Sequence, residues 1–146
     1  MKNHRTVIFN KKASYNFFLY DHFVAGIVLE GSEIKSVRSA KASINEAFCL
    51  IKNNEVFIKN MYIAQNNLFD SADTRRERKL LLTRQEILKI KNKMIKNMTL
   101  VPVEVFMDHH NRAKIDIALA KGKKNYDKRR SIKERDEKRR IAREKD

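Results

Sequence analysis

Residues 101–119 have the sequence VPVEVFMDHHNRAKIDIAL, in which apolar side chains alternate with other residues on both sides of a polar centre. The alternating positions are Val101, Val103, Val105 and Met107 before the centre, and Ile115, Ile117 and Leu119 after it. A period of two residues is typical of strands that place one face on a core. The stretch therefore predicts a β-hairpin that turns at residues 108–111. We expect Pro102 at a sheet edge or a strand start, because proline donates no ladder hydrogen bond.

Upstream of this hairpin, the pattern predicts further strands. Aromatic and β-branched residues dominate the range Phe17–Leu29, which favours extended structure with a bend at Asp21 and His22. Apolar or β-prone runs at 47–50 and 56–63 flank a polar turn, as in a second hairpin.

Two short helices are predicted between these strands. The first covers Ser32–Lys41, with Ser32 as its N-cap. The second opens at Thr83, which forms a capping-box motif with Glu86. Its apolar positions recur every three or four residues, at Ile87, Ile90, Met94 and Met98. The chain is therefore predicted to be mainly β with short helices, as an OB-like antiparallel β-barrel of about six strands.

The chain is strongly basic along its whole length. It has 33 Lys and Arg against 18 Asp and Glu, a net charge of +15. Residues 121–146 hold 13 basic and 6 acidic side chains, and residues 1–120 hold 20 and 12. Such an excess of positive charge indicates a polyanionic partner. We divide the chain into an OB-like RNA-binding domain, 1–120, and a basic C-terminal tail, 121–146.

The tail has too few apolar side chains to dock as an amphipathic helix. Ile132 and Ile141 are its only large aliphatic residues, and a separation of nine residues places them on opposite helical faces. Acid-to-base pairs four residues apart give a helix weak support. We expect the tail to be disordered or weakly helical when free, and to become ordered on an RNA surface.

Composition also argues against a secreted or membrane-spanning protein. The apolar run Val7–Phe9 is too short for the core of a signal peptide. No apolar run reaches membrane-spanning length. We therefore expect a cytoplasmic protein, in which the single cysteine, Cys49, is a core thiol.

The sequence offers little for catalysis. Its three glycines leave no Gly-rich phosphate loop. His109 and His110 fall in a predicted turn and are interpreted as turn residues instead of metal ligands. Asp108 and Asp116 allow two interpretations, a metal-dependent nuclease pair or cross-strand partners of basic neighbours. We favour the second, and expect no enzymatic activity, no cofactor and no metal.

Basic and aromatic residues point to RNA as the partner. Four basic residues that suit phosphate binding precede the second helix: Arg75, Arg76, Arg78 and Lys79. Five phenylalanines are interpreted as core residues: Phe17, Phe18, Phe48, Phe57 and Phe106. Tyr15 and Tyr126 stand among polar and basic residues, and are candidates for stacking on bases. We expect a structured RNA, recognised by its shape and backbone; a general structured-RNA-binding or ribosomal protein and a basic membrane-surface protein are the alternatives.

Four stretches of the chain carry a family resemblance. They are NKKA at 10–13, GSEIKSVR at 31–38, RERKLLL at 76–82 and GKKNYDKR at 122–129. In this order they resemble the motifs of the SmpB family of bacterial trans-translation, along nearly the whole chain. The resemblance implies a monomeric, ribosome-associated adaptor that binds the tRNA-like domain of tmRNA (SsrA RNA) and delivers it to the A site of a stalled ribosome. It also implies that the tail becomes helical in the vacant mRNA channel.

The resemblance further implies two sets of RNA-contacting residues. On the body they are Asn10, Lys11, Lys12, Glu33, Lys35, Arg38, Arg76, Arg78, Lys79 and Leu81. In the tail they are Gly122, Lys123, Lys124, Tyr126, Asp127, Lys128, Arg129, Lys133 and Arg135. Tyr15 and Tyr126 are implied to stack near the decoding centre. Glu33 is also a candidate for orienting its basic neighbours.

Five positions depart from the family pattern. Val24 stands where the family often has glutamate, Ala40 where it usually has glycine, and Thr74 where it usually has proline. The family's contacts are not carried over to these three sites. Tyr15 and Tyr126 stand where relatives often have histidine, so that stacking is retained while the second hydrogen-bonding nitrogen and the near-neutral pKa of histidine are lost.

Overall fold

The structure is a computed structural model that describes residues 5–65, 73–94 and 97–144. Its strands are β1 Arg5–Phe9, β2 Phe17–Ile27, β3 Ala42–Ser43, β4 Phe48–Lys52, β5 Glu55–Lys59, β6 Tyr62–Ile63, β7 Arg78–Leu81, β8 Met98–Met107 and β9 Ala113–Gly122. Its helices are α1 Ala13–Asn16, α2 Gly31–Arg38, α3 Arg84–Lys93 and α4 Asn125–Glu144.

The main sheet closes on itself. Its strand order is β1-β8-β4-β5-β7-β2-β9, and β9 also pairs with β8. Six strands therefore form an antiparallel ring, while β1 adds to the side of β8 and β3 pairs with β6 in a separate ribbon. Closure removes the free edges that an open sheet would present. The predicted mainly β fold with a barrel of about six strands is confirmed.

The hairpin of β8 and β9, with 10 residues in each strand, supplies much of the core. Leu100 pairs with Leu119 and Val105 with Ile115, and all four side chains are buried. The predicted position of Pro102 is wrong, because it lies buried in the middle of β8. The register shifts between Pro102 and Glu104, so that the missing N–H falls at an irregularity in the ladder.

The predicted bend in β2 is confirmed. The register between β2 and β9 shifts between Leu19 and His22, which is a β-bulge at the polar interruption. Beyond the bulge, Phe23 pairs with Ile117 and Ala25 with Ile115. The long strand therefore curves around the barrel and contributes one face to the core.

The predicted hairpin of β4 and β5 is confirmed with a tighter turn. Asn53 and Asn54 both have positive φ, at 53° and 61°, which is the geometry of a two-residue hairpin turn. The predicted strand 56–63 is divided in the structure. Asn60 has a φ of 64° and separates β5 from β6.

Both helix starts are close to their predicted positions, but one cap and both ends differ, since α2 ends at Arg38 instead of Lys41. Helix α2 begins at Gly31 with Glu30 as its N-cap, because the Glu33 carboxylate accepts a hydrogen bond from the Glu30 N–H at 2.9 Å. Ser32 as N-cap was therefore wrong. The Thr83 capping box of α3 is confirmed. Met98 belongs to β8 instead of α3, which ends at Lys93.

The aromatic residues divide differently from the sequence prediction. Phe106 is buried, but Phe18 and Phe48 are more than two-fifths exposed, and Phe17 and Phe57 are only partly buried. The alternation within β4 explains Phe48, because Cys49 beside it points into the core. The prediction that Cys49 is a core thiol is confirmed, since Cys49 is buried, and this burial raises the pKa of its thiol well above the usual value.

The tail forms a continuous 20-residue helix, α4, in the structure. The expectation of a disordered or weakly helical tail therefore differs from what the structure shows. No helix among the described residues is long and apolar enough to cross a membrane.

Candidate nucleic-acid interface

Glu33 and Arg78, two predicted RNA contacts, lie inside the protein. Glu33 is 4% exposed and Arg78 is 1% exposed. Arg78 Nε donates a hydrogen bond of 2.8 Å to Glu33 Oε2, and its Nη1 donates to the carbonyl oxygen of Met61 at 2.7 Å. Arg76 also contacts the Glu33 carboxylate through Nη2. These bonds fasten α2 to the segment that leads into β7.

The carboxylate of Glu33 is ionised because its hydrogen-bond partners lower its pKa by more than burial raises it. Burial alone raises the pKa of a carboxyl group. The hydrogen bonds from Arg78, from the Glu30 N–H and from Arg76 lower the pKa of Glu33 below its usual value. The cluster is therefore a charged structural unit, and within the described residues only Arg76 Nε is a buried side-chain polar atom without a hydrogen-bond partner.

Asn10 is a third predicted contact that is buried, at 4% exposure. Its Nδ2 donates to the Pro102 carbonyl at 2.8 Å, and its N–H donates to the Val103 carbonyl at 2.8 Å. Its Oδ1 accepts from the Lys12 N–H at 3.2 Å. Asn10 therefore ties the turn after β1 to the bulge in β8.

The exposed predicted residues of the body are carried by α2, by β7 and by the residues just before α1. Lys35 and Arg38 are on α2, and Lys11 and Lys12 are beside α1. Lys79 and Leu81 belong to β7, where Lys79 lies partly exposed with its Nζ 3.1 Å from Glu55 Oε1 and Leu81 is 52% exposed. The exposed members of the body set are therefore carried by several elements, while three of the ten are buried.

The outer face of β2 and β7 is partly apolar where the family pattern is acidic. Val24 is 52% exposed, and Gly26, two positions along the strand, pairs with Leu81. A Cβ atom at Gly26 would lie 3.4 Å from Leu81 Cβ, which is van der Waals contact, so the two strands are close together here. This face presents Val24 and Leu81 beside Lys114, whose Nζ lies near Gly26.

Thr74, which stands where the family usually has proline, uses its backbone carbonyl for its contacts here. Its carbonyl oxygen accepts hydrogen bonds from the Ile63 N–H at 2.9 Å and from Arg78 Nη2 at 3.3 Å. Proline carries the same carbonyl, so that these two contacts are independent of which residue is present.

The neighbouring outer face of β4 and β5 was missed by sequence reasoning. Phe48 is exposed there, and Lys52 Nζ lies 5.1 Å from the ring centroid of Phe57. Phe48, Cys49, Leu50 and Ile51 are all apolar, so the sequence contains no alternation that could have shown which of them face outward.

Lys123 is directed at the body of its own chain. Its Nζ donates to the Ser14 carbonyl at 3.0 Å and to Ser131 Oγ at 2.8 Å, and lies 5.0 Å from the Phe18 ring centroid. Its backbone N–H donates to the Asn16 carbonyl at 2.8 Å. These contacts set the direction in which α4 leaves the barrel.

The first turn of α4 is capped and leaves its tyrosine in solvent. Asp127 accepts a hydrogen bond from the Lys124 N–H at 3.3 Å. Tyr126 is 65% exposed, and Tyr15 is also exposed, with Lys128 Nζ 5.9 Å from its ring centroid. Three further predicted tail residues are exposed: Arg129, Lys133 and Arg135. Gly122 ends β9, immediately before Lys123.

The acidic residues of the final hairpin do not form a metal site. Asp108 accepts hydrogen bonds from the N–H groups of Arg112 and His110, which lower the pKa of its carboxyl group. Asp116 Oδ2 lies 3.0 Å from His22 Nδ1. His109 and His110 lie in the turn, as predicted. Among the described residues, no group of three or more His, Cys, Asp or Glu side chains is placed to hold a metal ion.

Comparison with known proteins gives a consistent result. A family model described as SmpB protein matches residues 7–146. The SsrA-binding protein of Bacteroides thetaiotaomicron is 46% identical over 146 residues, which cover 98% of this chain and 97% of that protein. The SsrA-binding protein of Acholeplasma laidlawii is 51% identical over 134 residues, 89% of each chain.

The fold is also similar to a solved structure. That structure is described as "tmRNA-SmpB: a journey to the center of the bacterial ribosome". The two chains superpose with a TM-score of 0.68 at 31% identity, over 84% of this chain and 86% of the other.

Proposed function

Since this chain belongs to the SmpB family, we propose that it is an RNA-binding adaptor of trans-translation, which binds the tRNA-like domain of tmRNA and brings it to the A site of stalled ribosomes. The observation that carries this proposal is the likeness, in fold and in sequence, to the tmRNA-SmpB chain over most of both proteins. The chain acts by binding and not as an enzyme, and its place of action is the ribosome in the cytoplasm.

The barrel is the part that holds the tRNA-like domain. Its exposed cations lie on α2, beside α1 and on β7, which suits an RNA that is gripped by its shape over a wide surface. Six predicted residues are available for direct contact: Lys11, Lys12, Lys35, Arg38, Lys79 and Leu81. Asn10, Glu33 and Arg78 act by positioning the elements that carry these side chains, because they are buried.

The tail is the part that enters the vacant mRNA channel. Helix α4 has basic side chains along its length, so rRNA phosphates can surround it on several sides. Lys124, Tyr126, Arg129, Lys133 and Arg135 are exposed and are the candidate contacts. Lys123 has the different task of fixing the start of the helix on the body.

The direct test is a titration of the full-length protein against the tRNA-like domain of tmRNA and against a duplex RNA of equal length. Both are measured at several salt concentrations, because phosphate contacts alone give a steep loss of affinity with salt. We expect the tRNA-like domain to bind far more tightly at physiological salt. Equal binding that fades together for both RNAs would instead indicate a general structured-RNA-binding protein.

A truncation after Gly122, the last residue of β9, tests which part of the chain binds the tRNA-like domain and which part is needed on the ribosome. The truncated protein is expected to keep its affinity for the tRNA-like domain and to lose peptide tagging on stalled ribosomes. A loss of affinity in proportion to the lost charge would show that the tail is a general RNA-binding arm.

A further inference from the structure

We propose that the outer face of β4 and β5, together with the segment 73–77, binds one unstacked nucleotide of a single-stranded RNA segment, with its base on Phe48. This inference rests on the proposed function in one respect, that the partner is RNA. It adds a site that lies outside the ten predicted body contacts except for Arg76.

Phe48 has the exposure that a stacking residue needs. It is 43% exposed, although its neighbour Cys49 is buried in the barrel. Phe48 pairs with Lys59 across the β4–β5 ladder, so an aromatic ring and an ammonium group leave the sheet side by side. A base can stack on such a ring whatever its identity, because every base has a π-face.

An open cavity of about 290 Å³ lies next to Phe48. It is lined by Phe48, Lys59, Asn60, Asp73, Arg75, Arg76 and Glu77. This volume is at the lower end of ligand pockets, which are roughly 300–1,000 Å³. The cavity therefore suits a single base with its sugar and not a helix or a duplex.

The charges around the cavity favour a phosphate. Its two acidic groups have partners, because Asp73 Oδ1 accepts from the Arg75 N–H at 3.0 Å and Glu77 Oε1 accepts from Lys52 Nζ at 3.1 Å. Among the described residues, no carboxylate lies within salt-bridge distance of Lys59. The ammonium of Lys59 is therefore the group available for a backbone phosphate.

Arginine side chains extend the same surface. The guanidinium of Arg75 lies 5.4 Å from the Tyr62 ring centroid, which holds its planar group near the cavity. Arg76, which contains the buried Nε without a partner among the described residues, also lines the cavity. An exposed ring flanked by cations is the arrangement that binds single strands by stacking and charge.

The first experiment uses the absence of tryptophan from the sequence. Phe48→Trp gives a single fluorescent reporter in the site, and Phe9→Trp gives a matched control on β1, where Phe9 is 52% exposed. Each full-length variant is titrated with a ten-residue oligouridine, with free UMP and with a duplex RNA of equal length. We expect the oligouridine to quench Phe48→Trp and not Phe9→Trp. No quenching at position 48, or the same quenching at both positions, overturns the proposal.

The other two ligands identify what is bound. Quenching of Phe48→Trp by the oligouridine at much lower concentration than by UMP supports an RNA strand as the occupant. If UMP is as effective as the oligouridine, the site is one for free nucleotides and the proposal of an RNA strand is wrong. Quenching by the duplex alone would also contradict it, because paired bases cannot reach the ring.

The second experiment measures affinity in variants that keep the fold. Phe48→Leu is expected to weaken oligouridine binding about 5- to 150-fold, the effect of losing about 1–3 kcal/mol of stacking. Phe9→Leu is expected to leave it unchanged. Lys59→Ala is expected to lower the salt slope by roughly one phosphate contact. Unchanged affinity in Phe48→Leu with an unchanged melting temperature overturns the proposal.

The experiments on Phe48 can fail without the proposed adaptor function failing, and the reverse. Tight binding of the tRNA-like domain without any response at Phe48 rejects this site alone. A response at Phe48 without preference for the tRNA-like domain supports this site and rejects the adaptor.

Discussion

Arg78 and Glu33 form a buried, doubly hydrogen-bonded ion pair that fastens helix α2 to strand β7. Both residues belong to stretches that resemble family motifs and that invite assignment to RNA contact. Their burial assigns them instead to the support of the surface, since a side chain that is 1% exposed offers no atom to a phosphate. For these two residues the geometry therefore favours a supporting role over direct contact with RNA.

Glu33→Gln is expected to lower the free energy of unfolding by about 3 kcal/mol, because it leaves two guanidinium groups with an uncharged partner in a buried place. Chemical denaturation at pH 7 measures this change. Glu46→Gln is the control, since Glu46 pairs with Lys12 on the surface, and it is expected to change little. If the two variants are equally stable and only Glu33→Gln loses RNA affinity, Glu33 touches RNA directly.

Stability is expected to fall in acid through Glu33. Its folded pKa lies below the unfolded value, which is about 4.3 for glutamate, so the unfolded chain binds the proton more readily. The contribution of the pair is therefore complete above that pH and is lost as the pH falls through the folded pKa. Denaturation between pH 2 and pH 6 is expected to show a steeper decline for the parent protein than for Glu33→Gln. Parallel curves would contradict the assignment.

Ala40→Gly is expected to stabilise the protein by about 0.5–1 kcal/mol. Ala40 has a φ of 58° at the end of α2, and the Lys41 N–H donates to the Ser36 carbonyl at 2.8 Å, as in a Schellman motif. A non-glycine residue pays about 1–2 kcal/mol for this conformation, partly offset by the greater chain entropy of glycine.

Thermal unfolding measures the effect of Ala40→Gly as a small rise in Tm. The matched control is Ser39→Gly, one residue earlier, where φ is −86° and glycine brings only flexibility. It is expected to lower Tm. A fall in Tm for both variants would show that the left-handed conformation is not maintained in solution.

Lys123→Ala is expected to release α4 from the body without weakening the binding of the tRNA-like domain. The substitution removes the bonds to Ser14 and Ser131 and the contact with Phe18. Spin labels at Ser39→Cys and Lys138→Cys report the distance between body and tail by pulsed EPR. The distribution is expected to be narrow in the parent protein and broad in Lys123→Ala.

Lys124→Ala is the control for this measurement, because Lys124 has the same charge and an exposed side chain one position later. Its distance distribution is expected to match that of the parent. An equally narrow distribution in Lys123→Ala would mean that the helix direction has another origin.

Much of the fold follows from local pattern. The alternation in β8 and β9, the bulge of β2 at its polar interruption and the Thr83 capping box were all visible in the sequence, because each depends on residues within a few positions of one another. The boundaries that were predicted wrongly are set by single residues. Asn60, with its left-handed backbone, ends β5, and Glu30, not Ser32, is the N-cap of α2.

The candidate site, like the fold, was predictable from the sequence only in part. Charge, composition and four ordered motifs were sufficient for an RNA-binding protein of a particular family, because these properties are carried by residue identity. The exposure of each side chain could not be predicted from the sequence, because it depends on contacts between distant parts of the chain. Arg78 meets Glu33 across 45 positions, and Lys123 meets Ser14 across 109. Only tertiary packing buries the first pair, docks the start of the tail through the second, and decides that Cys49, and not Phe48, faces the core.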